Sequence, residues 1–128
     1  MPVVHIDTPK VGLKKKRELV RALGKVIEAA LETSGVHVVI NESGAAGTQL
    51  TLVRIVIFKR DLKKRRALAR AVTAGIVGLL KIPAKDVHIV IQEIKRDQYA
   101  VGGVLMSDKG DVRGKTKPLL KRQNKEYK

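Results

Sequence analysis

The least ordinary chemistry in this chain belongs to its second residue. Pro2 follows the initiator methionine and leads into Val3-Val4-His5-Ile6. A small residue in second place favours removal of the methionine, which leaves a secondary amine at the chain start. Such an amine is a general base only if it is neutral near pH 7. An ordinary α-amino group titrates at about 7.7–8.0, and a proline nitrogen sits higher. Burial and neighbouring cations disfavour the charged form and bring the value down. Cations are plentiful, since 27 Lys and Arg against 12 Asp and Glu give a formal net charge of +15. His5, His37 and His88 are the other groups able to change charge near neutral pH. No carboxylate is spaced to complete a metal site with them, so no metal is expected. The chain has no cysteine, which excludes disulfides, thiolate catalysis and cysteine-ligated zinc.

The elements that must position these groups follow from composition and periodicity. At 128 residues the chain makes one ordinary domain, or two halves too small to stand comfortably apart. Hydrophobic residues are 44% and aromatics 2%, so the core must be aliphatic. No run approaches the ~20 apolar residues that span a bilayer, and the first ten residues lack the layout of a secretory signal. A soluble, cytoplasmic protein is expected, with no membrane partner.

The chain repeats itself. Residues 2–32 overlay residues 51–81 without a gap, at a constant offset of 49. Leu13-Lys14-Lys15-Lys16-Arg17 falls on Leu62-Lys63-Lys64-Arg65-Arg66, Leu19 on Leu68, Arg21 on Arg70, Ile27 on Ile76 and Leu31 on Leu80. Val36 to Glu42 then overlays Val87 to Glu93 at an offset of 51. Each copy reads as strand, helix, strand. Val3–Ile6 and Leu52–Phe58 are rich in β-branched residues. Apolar residues at helical spacing follow, with Thr33-Ser34-Gly35 and Pro83 as stops. Val36–Ile40 and Val87–Ile91 are short apolar strands. A strand, a crossover helix and a second strand give a parallel pair with a right-handed connection. The expected fold is α+β: two tandem β-α-β repeats in a four-stranded sheet with both helices on one face. The other face would be bare and apolar, which argues for oligomerisation.

The organisation expected is a single domain over 1–128: repeat 1 (2–42), a small and polar linker (43–50), repeat 2 (51–107) and a solvated basic tail (108–128). Within repeat 2, Gln98 to Met106 around Gly102-Gly103 reads as a short hairpin.

Pro-Val-Val-His-Ile at the start, the two β-α-β units, and Tyr99-Ala-Val-Gly-Gly-Val near the end resemble the 4-oxalocrotonate tautomerase family of the tautomerase superfamily. The likeness runs nearly end to end over residues 51–109, and over residues 2–42 in the first copy, which lacks the hairpin. The resemblance implies a fused two-copy chain whose trimer stands in for a hexamer of short subunits. It implies Pro2 as the catalytic base and, with Thr51 in proline's place, one working proline per chain. It also implies a carboxylate-binding arginine in the loop after the first strand, where the second copy has Lys59-Arg60 and the first has Lys10-Val11. Arg60 is the candidate, because a guanidinium grips a carboxylate through two parallel hydrogen bonds. The family's second arginine, on the strand after the helix, is replaced by His37 and His88, which puts a dicarboxylate substrate in doubt. Tyr99 matches an aromatic residue that walls the pocket.

The reaction implied is cofactor-independent enol–keto proton transfer on a small 2-oxo or 2-hydroxy unsaturated carboxylate. Alternatives left open are a decarboxylase or hydratase with protonated Pro2 as acid, a tautomerase-like scaffold without activity, and a basic nucleic-acid-binding protein. Against nucleic acid as a partner stand the near absence of stacking aromatics and of any recognition motif. Lysines clustered in a first helical turn oppose the helix dipole and need some reason to be there.

Overall fold

Val3 to Thr8 buries Val4, Ile6 and Thr8, and Thr51 to Phe58 buries Thr51, Val53, Ile55 and Ile57. A period of two gives each run one face in the core, which makes it a strand. In the computed structural model these are β1 (Val3–Thr8) and β3 (Thr51–Phe58). The helices α1 (Leu13–Leu31) and α2 (Leu62–Leu80) follow them, and then the strands β2 (His37–Glu42) and β4 (Val87–Ile94). The structure describes residues 2–42 and 50–110. Each copy therefore folds as strand, helix, strand, and the two helices lie 49 positions apart, as the repeat requires.

The sheet order is β2-β1-β3-β4. β1 and β2 are parallel, from Val3 opposite His37 to Thr8 opposite Glu42. β1 and β3 are antiparallel, with Val3 opposite Val56 and Asp7 opposite Leu52. Arg60, two residues past the end of β3, donates its backbone N–H to the Glu93 carboxylate near the end of β4. The two strands thus finish at the same end of the sheet, so β4 runs parallel to β3. Leu19, Leu23, Ile27 and Leu31 of α1 and Leu68, Val72 and Ile76 of α2 are buried with the inward residues of β1 and β3 in one aliphatic core. Both helices cover one face, as expected.

The antiparallel packing of the helices accounts for part of their cationic starts. The Lys15 ammonium donates to the carbonyl of Leu79 at 2.9 Å, at the end of α2. Lys64 reaches Glu32, just past the end of α1, at 3.0 Å. Cations are unfavourable at a helix's own N-terminus and favourable at a neighbour's C-terminus. Each helix thus supplies a lysine to the carbonyl-rich end of the other. Both helices end on a non-glycine residue in the left-handed region, Glu32 (φ 52) and Lys81 (φ 54), again 49 positions apart. That conformation costs roughly 1–2 kcal/mol for a residue with a Cβ, and each N–H bonds back into its helix, Glu32 to the carbonyl of Glu28 and Lys81 to that of Val77.

The uncovered face of the sheet is bare of helices, as expected, and apolar only in part. It carries His37, Val39 and Asn41 on β2, Val3, His5 and Asp7 on β1, Leu52, Arg54, Val56 and Phe58 on β3, and His88, Val90 and Gln92 on β4. Arg54 lies 3.8 Å from Asp7, whose carboxylate also accepts from the Asn41 amide. Val39 and Val90 are 49% and 51% exposed, and Val3 pairs with Val56 across the same face, so the surface is mixed, with apolar residues among the polar ones.

The chain divides into two compact units, Met1–Glu93 and Ile94–Lys128. The second holds a 3-10 turn (Arg96–Gln98), a hairpin of β5 (Ala100–Val101) and β6 (Val104–Leu105), and a short helix α3 (Met106–Gly110). The hairpin turn is Gly102-Gly103 with φ of 60° and 81°. Two successive positive values suit a tight two-residue turn and favour glycine at both positions. α3 spans the boundary at 107/108 between repeat 2 and the basic tail; residues 111–128 of that tail lie outside the described residues, as do 43–49 of the linker. Among the described residues no helix is long and apolar enough to cross a membrane.

Candidate active site

Pro2 is buried at the head of β1, and its carbonyl accepts the backbone N–H of His37 at 2.9 Å. The start of β2 therefore holds the start of β1. Because β3 runs antiparallel to β1, its last residues come back toward Pro2, and the Lys59-Arg60 loop opens at the Pro2 end of the sheet. Residues that the repeat alone leaves in separate copies are brought to one end of the sheet by this strand reversal.

The loop itself is fixed from three sides. Asp61 caps α2 by accepting the N–H of Lys64 at 2.8 Å, which sets where the helix begins. Arg60 donates its own N–H to Glu93 Oε2 at 2.7 Å. Its guanidinium folds toward the Lys59 carbonyl at 3.3 Å. Glu93 also faces Arg65, whose Nε is buried 4.0 Å from the carboxylate and makes no hydrogen bond among the described residues. Arg60 is half-buried and Lys59 exposed.

The first copy contains the same device. Glu42 accepts the backbone N–H of Val11 at 2.7 Å and pairs with Lys16 at 2.7 Å. The Lys16 ammonium first, and the Val11 N–H second, hold its carboxyl below the ordinary carboxylate value. Val11, Lys16 and Glu42 occupy the places of Arg60, Arg65 and Glu93. Here the loop presents valine in place of arginine. Thr51, where a second proline would stand, is buried, with its hydroxyl 3.4 Å from that of Thr8. This end of the sheet has the frame of a site without its reactive groups.

The histidines separate. His37 is beside Pro2 through its backbone, while its exposed side chain shares the open face with His5. His88 starts β4, five residues before Glu93, and so lies about 17 Å along the strand from the Arg60 end. Within one chain, His37 and His88 cannot serve the same site.

A family model described as tautomerase enzyme matches residues 52–109. A probable tautomerase of Listeria monocytogenes serotype 4b is 38% identical over 45 residues, covering 35% of this chain and 74% of that protein. One from Bacillus cereus is 36% identical over 50 residues, covering 39% and 82%.

The chain belongs to the tautomerase family.

The two relatives cover 35% and 39% of this family member, as expected if they are single copies. Structural likeness extends across both copies. A fused 4-OT solved as an asymmetric trimer superposes with a TM-score of 0.77 at 18% identity, over 84% of this chain and 98% of that one. A macrophage migration inhibitory factor from Toxoplasma gondii gives 0.69 at 16% identity, over 80% and 98%. At such identities the likeness concerns the fold, and that fold is the tautomerase fold.

Of the residues singled out in the sequence, the structure brings Pro2, His37, Lys59 and Arg60 to one end of the sheet and leaves His88 at the other. Tyr99 belongs to the second unit, where its ring is half-buried and its carbonyl accepts the N–H of Met106 at 2.8 Å. Glu93 was missed as a contributor, although it closes the segment that overlays Val36–Glu42. Its recurrence was the available signal, and nothing in the sequence tied it to the loop 33 residues upstream.

Proposed function

We propose that this protein is a cofactor-independent tautomerase acting on a small 2-oxo or 2-hydroxy unsaturated carboxylate, with Pro2 as general base. The observation that carries the reading is the antiparallel β1–β3 pair, which gives a buried N-terminal proline and an arginine-bearing loop to one end of one sheet. Removal of Met1 frees the amine, and burial disfavours its charged form. Neutral Pro2 takes the proton from the enol hydroxyl, the oxygen becomes a carbonyl as the double bond shifts, and the same nitrogen returns the proton to carbon. Arg60 binds the carboxylate and, with Lys59, opposes the negative charge that develops on the substrate. His37 is a further candidate for the pocket, and His88 would have to reach a Pro2 site from another chain. The fused 4-OT neighbours solved as trimers support a homotrimer here.

The test joins intact mass with ketonisation of phenylenolpyruvate and 2-hydroxymuconate by wild type and Pro2→Ala. Loss of Met1 with activity that depends on Pro2 supports the reading. Activity indifferent to Pro2→Ala removes proline as the base. A folded, correctly processed protein without activity moves the assignment to a decarboxylase or hydratase with protonated Pro2 as acid, or to a scaffold that has lost catalysis.

A further inference from the structure

The two helix starts carry matching runs of cations, Lys14-Lys15-Lys16-Arg17 and Lys63-Lys64-Arg65-Arg66. The fold sorts each run into two pairs. The inner pairs serve the structure: Lys15 and Lys64 reach across the helix pair, and Lys16 and Arg65 face Glu42 and Glu93. The outer pairs, Lys14 with Arg17 and Lys63 with Arg66, are exposed and, among the described residues, in no ion pair. Arg21 and Arg70, also exposed, extend each outer pair by another turn. Spacings of three and then four keep each set on one side of its helix, away from the buried leucines. On α1 the row runs on to Lys25, with Glu18 and Glu28 beside it; α2 contains no acidic residue. Since the helices are antiparallel, the rows start from opposite ends of the helical layer and run toward its middle, each about 10 Å long from first to last cation. Arg17 and Arg21 also border an open groove of about 470 Å³ with Lys16, Val20 and Ile40.

We propose that this helical layer binds the phosphodiester backbone of duplex nucleic acid without reading its sequence. Backbone binding needs unpaired cations spread over a surface and no aromatic side chains, so the scarcity of aromatics bears on base recognition alone. A lipid surface fits less well. A helix that lies in a membrane interface buries its apolar side in the lipid, and that side of α1, Leu19, Leu23, Ile27 and Leu31, is already buried in the core. The surface is separate from Pro2 and Arg60 and does not depend on the catalytic reading.

The experiment measures binding of full-length protein to a duplex of roughly 20 base pairs by fluorescence anisotropy between about 50 and 200 mM salt. It compares wild type, the row variant R17Q/R21Q/R66Q/R70Q, and a tail variant of equal charge, K115Q/K117Q/K121Q/K125Q. Circular dichroism and urea unfolding establish that each is folded. The row variant is expected to bind at least ~10-fold more weakly and to lose about 3–4 from the slope of log K against log salt, at roughly 0.9 per phosphate contact. The tail variant is expected to stay within about threefold of wild type. Equal losses in both variants would show an effect of net charge and overturn the assignment. So would the absence of duplex binding at the lower salt, or tighter binding to phosphatidylserine vesicles than to the duplex.

Discussion

Replacing Glu93 with alanine removes a carboxylate that touches no substrate in the proposed reaction, yet it should cost activity. The 2.7 Å bond from the Arg60 N–H to Glu93 is charge-assisted and short. Hydrogen bonds to a charged group contribute about 1.5–3 kcal/mol. The Glu93 side chain is 30% exposed, so water replaces part of what is lost, and the lower end applies. A loss of about 1.4 kcal/mol in holding the loop corresponds to about tenfold in rate. Glu93→Ala is therefore expected to lower kcat/KM for phenylenolpyruvate about tenfold. Glu93→Gln keeps an acceptor oxygen without the charge; neutral bonds are roughly half as strong, so about threefold is expected. The duplication provides a control inside the same molecule. Glu42→Ala breaks the equivalent bond to Val11 in a loop that carries no arginine, so it should lower stability and leave kcat/KM near wild type. If Glu42→Ala reduces kcat/KM as much as Glu93→Ala does, the effect is general loosening. If Glu93→Ala is silent while Arg60→Ala is not, the carboxylate does not position the arginine and the reasoning is refuted.

Acid should weaken the first copy's clamp. Glu42 has a folded pKa below its ordinary value of 4.5, so the stability it contributes is complete above that value and is lost as pH falls through the lowered folded value. Urea unfolding between neutral and acid pH should show the loss in wild type and a flatter profile in Glu42→Gln. Two glycines of α2 should behave differently when changed to alanine. At Gly78 a new Cβ meets nothing within 4 Å, and Gly78→Ala should stabilise by about 0.5–1 kcal/mol in urea denaturation. At Gly75 the Cβ would come within 3.2 Å of Leu23, which is fully buried, so the helix gain should be cancelled or reversed.

Periodicity and self-similarity determined most of the scaffold. Leu19, Leu23, Ile27 and Leu31 at intervals of four give an apolar stripe on any α-helix, and Val4, Ile6 and Thr8 at intervals of two give one face of any strand. The offset of 49 transferred those assignments from one copy to the other, and Gly102-Gly103 located the hairpin because few residues but glycine sustain two positive φ values in succession. Pro2 and Arg60 were legible by type and by family likeness. Sequence also showed that the cations at the helix starts needed an explanation, but not that the antiparallel packing uses half of them and leaves the rest outside.

What sequence does not contain is the distance between residues that local pattern leaves independent. Strand order decided that Pro2, His37 and the Lys59-Arg60 loop share one end of the sheet while His88 occupies the other, because a parallel β-α-β unit returns to its own starting end and the antiparallel junction of the two units reverses it. The open face became mixed rather than apolar because β1, β2, β3 and β4 each contribute their outward residues to it, polar and apolar together. Glu42 and Glu93 became loop anchors for the same reason: a carboxylate at the end of one strand meets the residue just past the end of its neighbour only once the two are laid side by side. Residue type and period are local and survive in the sequence; register and strand direction are properties of the folded sheet, and they decided which of these residues meet.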